Sequence, residues 1–550
     1  MKLNRFYIIL SALLILAKTS VAQDHTTWTS NKSLYEVNVR QYTKAGTFNA
    51  FGTHLDRLRD LGVGILWFMP VHPIGSKNRL GSLGSYYAVK DYYGVNPEFG
   101  TAADFRALVD SIHAKGMYVM IDWVANHTSW DNVLTVSHPL WYVKGNGGVF
   151  VPPAGTNWSD VIQLDYTNDS LRTYMIDAMK YWVTEMKVDG FRYDAASFVP
   201  ISFWSQTAAA LKQVKPDIFL LAEDQGTQYS GAGMHMTFGW NFYGFGGGIL
   251  PKLYSGASNA NDLAAYTSNE YLFYPGNIYR LYFTSNHDEN SWYGTDTELF
   301  GTAADAFIAL SATLRGMPLI YSGQEVGLNR RLKFFDKDEI TWPVHPRTAR
   351  IRSLLQLKKR NSALWNGSKG SESERITTTS DLNIYAFLRQ KGNDKVLSVY
   401  NLSGTAKEFT LSGSTYSGTF KNIFTDSTIQ LTPNYQMTLP AWGYMVAEGV
   451  TASSAVKKDQ RIPSSFEVLQ NYPNPFNPST TISYSIPVNG FTTLIVYDLI
   501  GQEVAHVVSE FQEAGNYTSR FDATDLSSGV YFYQVRSGSF SAMKKMILLK

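Results

Sequence analysis

Residues 118–127 read Tyr118-Val119-Met120-Ile121-Asp122-Trp123-Val124-Ala125-Asn126-His127, an apolar run that ends in a cluster of polar side chains. Before it, residues 104–115 repeat their apolar positions at helical spacing. A run that is apolar at successive positions suits a strand buried on both faces, as in a parallel sheet covered by helices. The polar residues then mark the C-terminal edge of that sheet, where such folds place their chemistry.

The same unit recurs on both sides of this stretch. Strand-like runs lie at residues 34–39, 64–68, 219–222, 281–284 and 318–321, with weaker ones at 190–192 and 236–238. Helical patterns lie between them at 170–186, 203–213 and 303–314. Eight β/α units predict an α/β fold, a closed (β/α)8 TIM barrel over residues 28–370. One connection breaks the rhythm: residues 128–168 carry Pro139, Pro152 and Pro153 without a helical period, as expected of a short loop subdomain after the third strand. Residues 371–448 alternate in short runs and predict an antiparallel β-domain. Residues 449–464 are small and polar, the composition of a linker. Residues 465–550 return to short strands, with turns at Asn489-Gly490 and Ser528-Gly529, and predict an Ig-like β-sandwich.

Composition narrows the functional classes. Lys and Arg number 48 against 46 Asp and Glu, a net charge of +2 that gives no electrostatic case for nucleic acid. There is no cysteine, which excludes disulfides, thiolate metal sites and a cysteine nucleophile. Lys2 and Arg5, the apolar residues 6–17 and the small residues Ser20-Val21-Ala22 predict a secretory signal over residues 1–22. That run is short for a bilayer, and no later one is long enough, so no membrane span is expected in the mature protein.

Polar residues gather after the expected strands: Asp122 and Asn126-His127 after the third, Arg192 and Asp194 at the fourth, Glu223 after the fifth, His287-Asp288 after the seventh. Each alone is an ordinary cap, loop anchor or ion pair. Barrel closure would bring all of them into one bowl. Paired carboxylates suit glycoside hydrolysis, with one as nucleophile and one as proton donor to the leaving oxygen. Arg192 and Asp194 are two residues apart and face the same way along a strand, so the guanidinium would hold the acid ionised. Glu223 would need a raised pKa to act as the donor.

Four blocks now stand in order: Asp122-Trp123-Val124-Ala125-Asn126-His127, Gly190-Phe191-Arg192-Tyr193-Asp194, Leu221-Ala222-Glu223 and Ser285-Asn286-His287-Asp288. Through them the chain resembles the α-amylase family, glycoside hydrolase family 13. The resemblance implies Asp194 as nucleophile, Glu223 as general acid/base and Asp288 as transition-state stabiliser. It implies that His127, Arg192 and His287 line the sugar site, and that Tyr87 is the ring on which the sugar stacks, with Tyr86 beside it as the alternative wall. The implied activity is that of a secreted retaining hydrolase acting on an α-glucan substrate, the α-1,4-linked starch and maltooligosaccharides. A cyclomaltodextrinase, an α-glucosidase or a transglycosylase would use the same residues; a non-catalytic glucan-binding protein would have lost a carboxylate. Ala195-Ala196-Ser197-Phe198 departs from the family, where a basic residue and a histidine commonly follow the nucleophile. No cofactor is implied for the chemistry. Asn126 matches a frequent ligand of structural calcium, with Asp160 or Asp165 as a further oxygen donor. Finally, residues 466–550, entered through Asn471-Tyr472-Pro473-Asn474-Pro475-Phe476-Asn477-Pro478, resemble the C-terminal sorting domain of type IX secretion substrates. That resemblance implies the secretion machinery as a partner, and a secreted or cell-surface attached bacterial protein.

Overall fold

Eight parallel strands close on themselves: β1 (Leu34–Val37), β2 (Ile65–Phe68), β3 (Tyr118–Trp123), β4 (Gly190–Tyr193), β5 (Phe219–Ala222), β6 (Met236–Phe238), β7 (Tyr279–Tyr282) and β8 (Met317–Tyr321). They neighbour one another in chain order, and β8 returns to β1 with Leu319 opposite Leu34. This is a computed structural model describing residues 26–244, 247–274, 276, 278–450, 463, 465–524 and 526–550. The expected signal over 1–22 and most of the expected linker fall outside the described residues.

Apart from Tyr118, every barrel-strand residue is buried. One face of each strand fills the barrel and the other meets the helices, which is why the runs are unbroken in the sequence. The helices include α1 (Leu55–Leu61), α2 (Ala102–Ala114), α3 (Asp169–Thr184), α4 (Ile201–Val214), α5 (Ala260–Phe273), α6 (Ala304–Thr313) and α7 (Pro346–Arg360). In α2 the Thr101 side chain and Asp104 cap the first turn reciprocally, and Phe105, Leu108, Val109 and Ile112 form the buried stripe. After β5 the helix shrinks to one turn, Gln228–Gly231.

Two expected strands move. β1 stops at Val37 because the Asn38 side chain accepts from the Gln41 N–H and starts a short helix, Val39–Tyr42. β7 lies two residues earlier than the apolar run 281–284. Its second residue, Arg280, is buried in an ion pair with Glu270 of α5 at 2.7 Å, which hides a strand position from an apolar pattern. Within the connection after β3, His127–Ser129 and Val161–Gln163 pair as an antiparallel ribbon. Beyond the barrel, in the same compact unit, six antiparallel strands between residues 374 and 449 form a sheet over their own apolar core, which includes Ile384, Leu397, Val399, Phe409 and Phe420.

The residues after 450 form a second unit. A three-stranded and a four-stranded antiparallel sheet enclose Ile482, Tyr484, Leu494, Val496, Tyr533, Val535, Met546 and Leu548. Burial alternates along Ser479–Ile486, as it does in a β-sandwich with one face of each sheet inward.

Candidate active site

The ladder hydrogen bonds that build the barrel continue past the strand ends and fix the acids. Asp122 on β3 stands opposite Arg192 on β4. Beyond them, the Asp194 N–H donates to the Trp123 carbonyl at 3.1 Å, and the Glu223 N–H to the Tyr193 carbonyl at 3.0 Å. The three acids therefore stand on adjacent strands at one end of the barrel.

Arg192 is the hub. Its side chain is fully buried, and its Nη1 donates to Asp122 Oδ1 at 2.7 Å and to Asp194 Oδ1 at 2.9 Å. Its Nη2 is ion-paired with Glu223 Oε1 at 2.5 Å. The guanidinium rests on an aromatic floor, 5.2 Å from the Trp67 ring centre and 5.8 Å from that of Phe238. Glu223 Oε2 in turn accepts the Ala195 N–H at 2.7 Å. Ala195 is held at φ +43°, a left-handed conformation costly for a residue with a Cβ. That kink turns the chain after Asp194 so that its N–H meets Glu223.

Burial works against the charges of this cluster. Desolvation outweighs the Arg192 guanidinium and pushes Asp194 and Glu223 up to about 7, and Asp122 to about 6. The like charge of Asp288 adds to the rise in Asp194 and Glu223. Such a group passes through a state with one carboxyl protonated and its neighbour ionised near neutral pH. The side chains of Asp194 and Glu223 keep 11% and 15% of their surface open, and Asp288 keeps 34%, so all three face the bowl.

The opposite wall comes from the loops after β2 and β7. Tyr87 donates its hydroxyl to Asp122 Oδ2 (3.0 Å) or shares it with His287 Nε2 (2.7 Å), and its ring stacks on His287 at 5.2 Å. Tyr86 instead points behind the wall, where its hydroxyl donates to Asn38 and Arg40 covers its ring at 4.1 Å. His287 Nε2 also lies 3.3 Å from Asp288 Oδ2. His127 is buried beside this wall: its ring is hydrogen-bonded to the Tyr87 backbone and lies 5.3 Å from that of Trp158. Trp158 meets Phe198 at 6.0 Å, and on the other side Phe334 stacks on Tyr87 and meets Trp292 at 5.2 Å. Phe198 and Trp292 are nearly half exposed.

Among the described residues no three histidine or carboxylate side chains gather as a metal site. Asn126 turns its side-chain amide to His127 Nδ1 at 3.3 Å, and Asp165 accepts both the N–H and the hydroxyl of Thr167. The ribbon register puts Leu164 opposite Asn126 and leaves Asp160 four residues further along, about 13 Å of strand, whereas calcium ligands sit roughly 2.3–2.6 Å from the ion.

Residues the sequence reading did not single out are Glu36, whose buried carboxylate meets His287, and the aromatic groups Trp67, Phe334, Trp158 and Trp292. Glu36 left a signal, an acid inside an apolar strand run; the rings lie on loops or a strand with no pattern to mark them.

Residues 24–137 and 156–396 match the catalytic domain of alpha-amylases. The chain belongs to the alpha-amylase family. It is thus a glycoside hydrolase. Residues 384–446 match the C-terminal domain of the alpha-amylase SusG, and residues 470–549 match the secretion system C-terminal sorting domain. Among relatives of the family, Alpha-amylase 3 of Dictyoglomus thermophilum is 26% identical over 456 residues, spanning 70% of this chain and 87% of its own. The maltogenic alpha-amylase AmyB of Thermotoga neapolitana superposes with a TM-score of 0.69 at 28% identity, covering 76% of this chain and 99% of that one. An alpha-amylase of Lactobacillus plantarum superposes at 0.67 with 29% identity, covering 77% and 100%. The sorting domain indicates export from a bacterial cell, and no helix among the described residues is long and apolar enough to cross a membrane.

Proposed function

We propose that the protein is an exported retaining hydrolase of α-1,4-glucosidic bonds in starch and maltooligosaccharides, acting by double displacement. One observation carries the reading: a single guanidinium, that of Arg192, holds Asp194 by one nitrogen and Glu223 by the other. Sharing it keeps the two carboxyl groups within a few ångströms, which suits the roughly 5 to 5.5 Å of a retaining pair better than the ~6.5–9.5 Å that admits a water between them.

In the first step Glu223, carrying its proton, donates it to the leaving glycosidic oxygen while Asp194 attacks the anomeric carbon. In the second, Glu223 takes a proton from water, which attacks the same carbon and releases Asp194. Asp288, next to His287 and most open to the bowl, faces the positive charge that develops on the sugar ring. Tyr87 offers the ring face that packs on the sugar, and Arg192 keeps Asp194 aimed.

The test is turnover of amylose followed by NMR of the first-formed anomer. The expected product is the α-anomer, and initial release of the β-anomer overturns the mechanism. Asp194→Asn and Glu223→Gln should each lower kcat by about a thousandfold or more. With a glycosyl fluoride, which needs no proton to leave, Glu223→Gln should recover much of its first step and Asp194→Asn none.

Transglycosylation is the second reading, favoured by the exposed Phe198 beside Trp158. Phe198 stands in the stretch 195–198 where the family commonly carries a basic residue and a histidine, three residues after Ala195, whose N–H bonds Glu223 on the side where the departing sugar leaves. An apolar face there retains a sugar acceptor against water. Products longer than the substrate, formed from concentrated maltotriose, distinguish this reading from plain hydrolysis.

A further inference from the structure

We infer that Glu36 is a positioning residue for the sugar site: its buried carboxylate keeps His287 a hydrogen-bond donor at Nε2 and so sets the direction of the hydrogen bonds from His287 through Tyr87 to Asp122. The inference deepens the proposed reaction, since the donor it fixes meets Tyr87 and Asp288, two groups that reaction uses.

Glu36 is the third residue of β1 and has no exposed surface. Its carbonyl accepts the Ser322 N–H and hydroxyl at 3.1 and 2.7 Å, which pins the strand. Its carboxylate takes two bonds from one residue across the barrel: His287 Nδ1 lies 2.5 Å from Oε1, and the His287 N–H donates to Oε2 at 3.2 Å. The other ring nitrogen faces two oxygens, Tyr87 Oη at 2.7 Å and Asp288 Oδ2 at 3.3 Å.

Donor counting selects one arrangement. If Nε2 carried a lone pair, that pair would face the Asp288 carboxylate. The one Tyr87 hydroxyl proton would then have to serve either Nε2 or Asp122 Oδ2, leaving the other unserved. If Nε2 carries its proton, it donates to Tyr87 and Asp288, the Tyr87 hydroxyl donates to Asp122 at 3.0 Å, and every acceptor is satisfied. A Glu partner, unlike Gln, supplies the charge that keeps the second proton on the pair.

The charges facing His287 agree. Glu36 on β1, Asp288 beside it, Asp122 on β3 and Asp194 after β4 are the acids; Arg192 on β4 opposes them, and the rings of Tyr87, Trp67 and Phe334 lie around the imidazole. Glu289, next along the chain, is buried with its carboxyl pushed up to about 7. Burial alone would lower the titration of His287, but Asp288 and Glu36 reverse it and lift it to about 9.

The test reads the ring nitrogens of His287 by 15N–1H NMR in the free full-length enzyme, with its signals assigned by their loss in His287→Asn. In the wild type the ring should keep both protons up to about pH 9. Titration near pH 6.5, the ordinary histidine value, overturns the inference without any variant. In Glu36→Gln the ring should titrate below pH 8. Its kcat/KM should then fall about tenfold at pH 8 relative to wild type, the deficit shrinking toward pH 6, where the ring regains its proton. Glu36→Asp should restore the two-proton ring and the alkaline activity. An unchanged ring titration or pH profile in Glu36→Gln overturns the role of Glu36. The NMR arm needs no substrate, so failure of the glucan reading, seen as no turnover by the wild type, is told apart from failure of this one.

Discussion

Asp194 and Glu223 stand where they are least comfortable as ions, and that discomfort is a stability term as well as a catalytic one. The Glu223 carboxyl ordinarily titrates near 4.5 and is raised to about 7 in the fold, chiefly by burial. Between those values the native state holds a proton that the unfolded chain has released, so stability falls as pH rises through that window. The loss is complete above about pH 7. Glu223→Gln removes the ion and therefore the loss. The variant should be more stable than wild type at pH 8 by on the order of 2 kcal/mol, and nearly equal to it at pH 4. Urea denaturation at the two pH values measures this. A variant less stable at pH 8 would mean that Arg192 needs the Glu223 charge more than the fold resents it. The activity of the wild type should follow a bell-shaped pH profile, because the pair works with one proton between them. Below the window the nucleophile is protonated; above it the proton donor is empty.

At the scale of elements, strands and loops were legible to different degrees, for physical reasons. The barrel strands stood out because two buried faces leave no polar position to interrupt the run, and the acids stood out because they end those runs. β7 was displaced by Arg280, a buried cation whose partner Glu270 lies on α5. The ribbon formed by His127–Ser129 and Val161–Gln163 was not legible, since three residues are too few to show an alternation. Glu36 was visible as an oddity but unreadable, because the histidine it serves lies 251 positions away. The same limit hid the meeting of Phe198, on the turn after β4, with Trp158 from the long connection. Phe198→Ala should cost sugar packing on the leaving-group side while sparing the carboxylates. The expected result is a raised KM for maltooligosaccharides and a lower share of transfer products at high substrate, with the hydrolytic kcat little changed. Product analysis by chromatography checks it, and an unchanged share of transfer products removes the acceptor role of that ring.

The whole molecule joins two bodies of different logic. The barrel and the antiparallel sheet that follows it form one compact unit, whereas the residues after 450 build a separate apolar core from their own sheets, with Val496, Tyr533, Val535 and Met546 at its centre. All residues assigned to the reaction lie in the first unit, between Glu36 and Asp288. A chain of two such compact units should unfold in two steps, because each unit loses its burial cooperatively. Calorimetry on the full-length protein should therefore show two transitions, and a protein ending at Val450 should keep only the transition that a substrate analogue shifts upward. That shortened protein should hydrolyse amylose with unchanged kcat and KM. Expressed with residues 1–22 in place in a bacterium that runs type IX secretion, it should remain behind the outer membrane while the full chain is exported. Loss of turnover on shortening would mean that the sorting domain contributes to the site, and export without it would mean that the match at residues 470–549 does not carry the address. The two readouts answer to separate units, so either can fail alone.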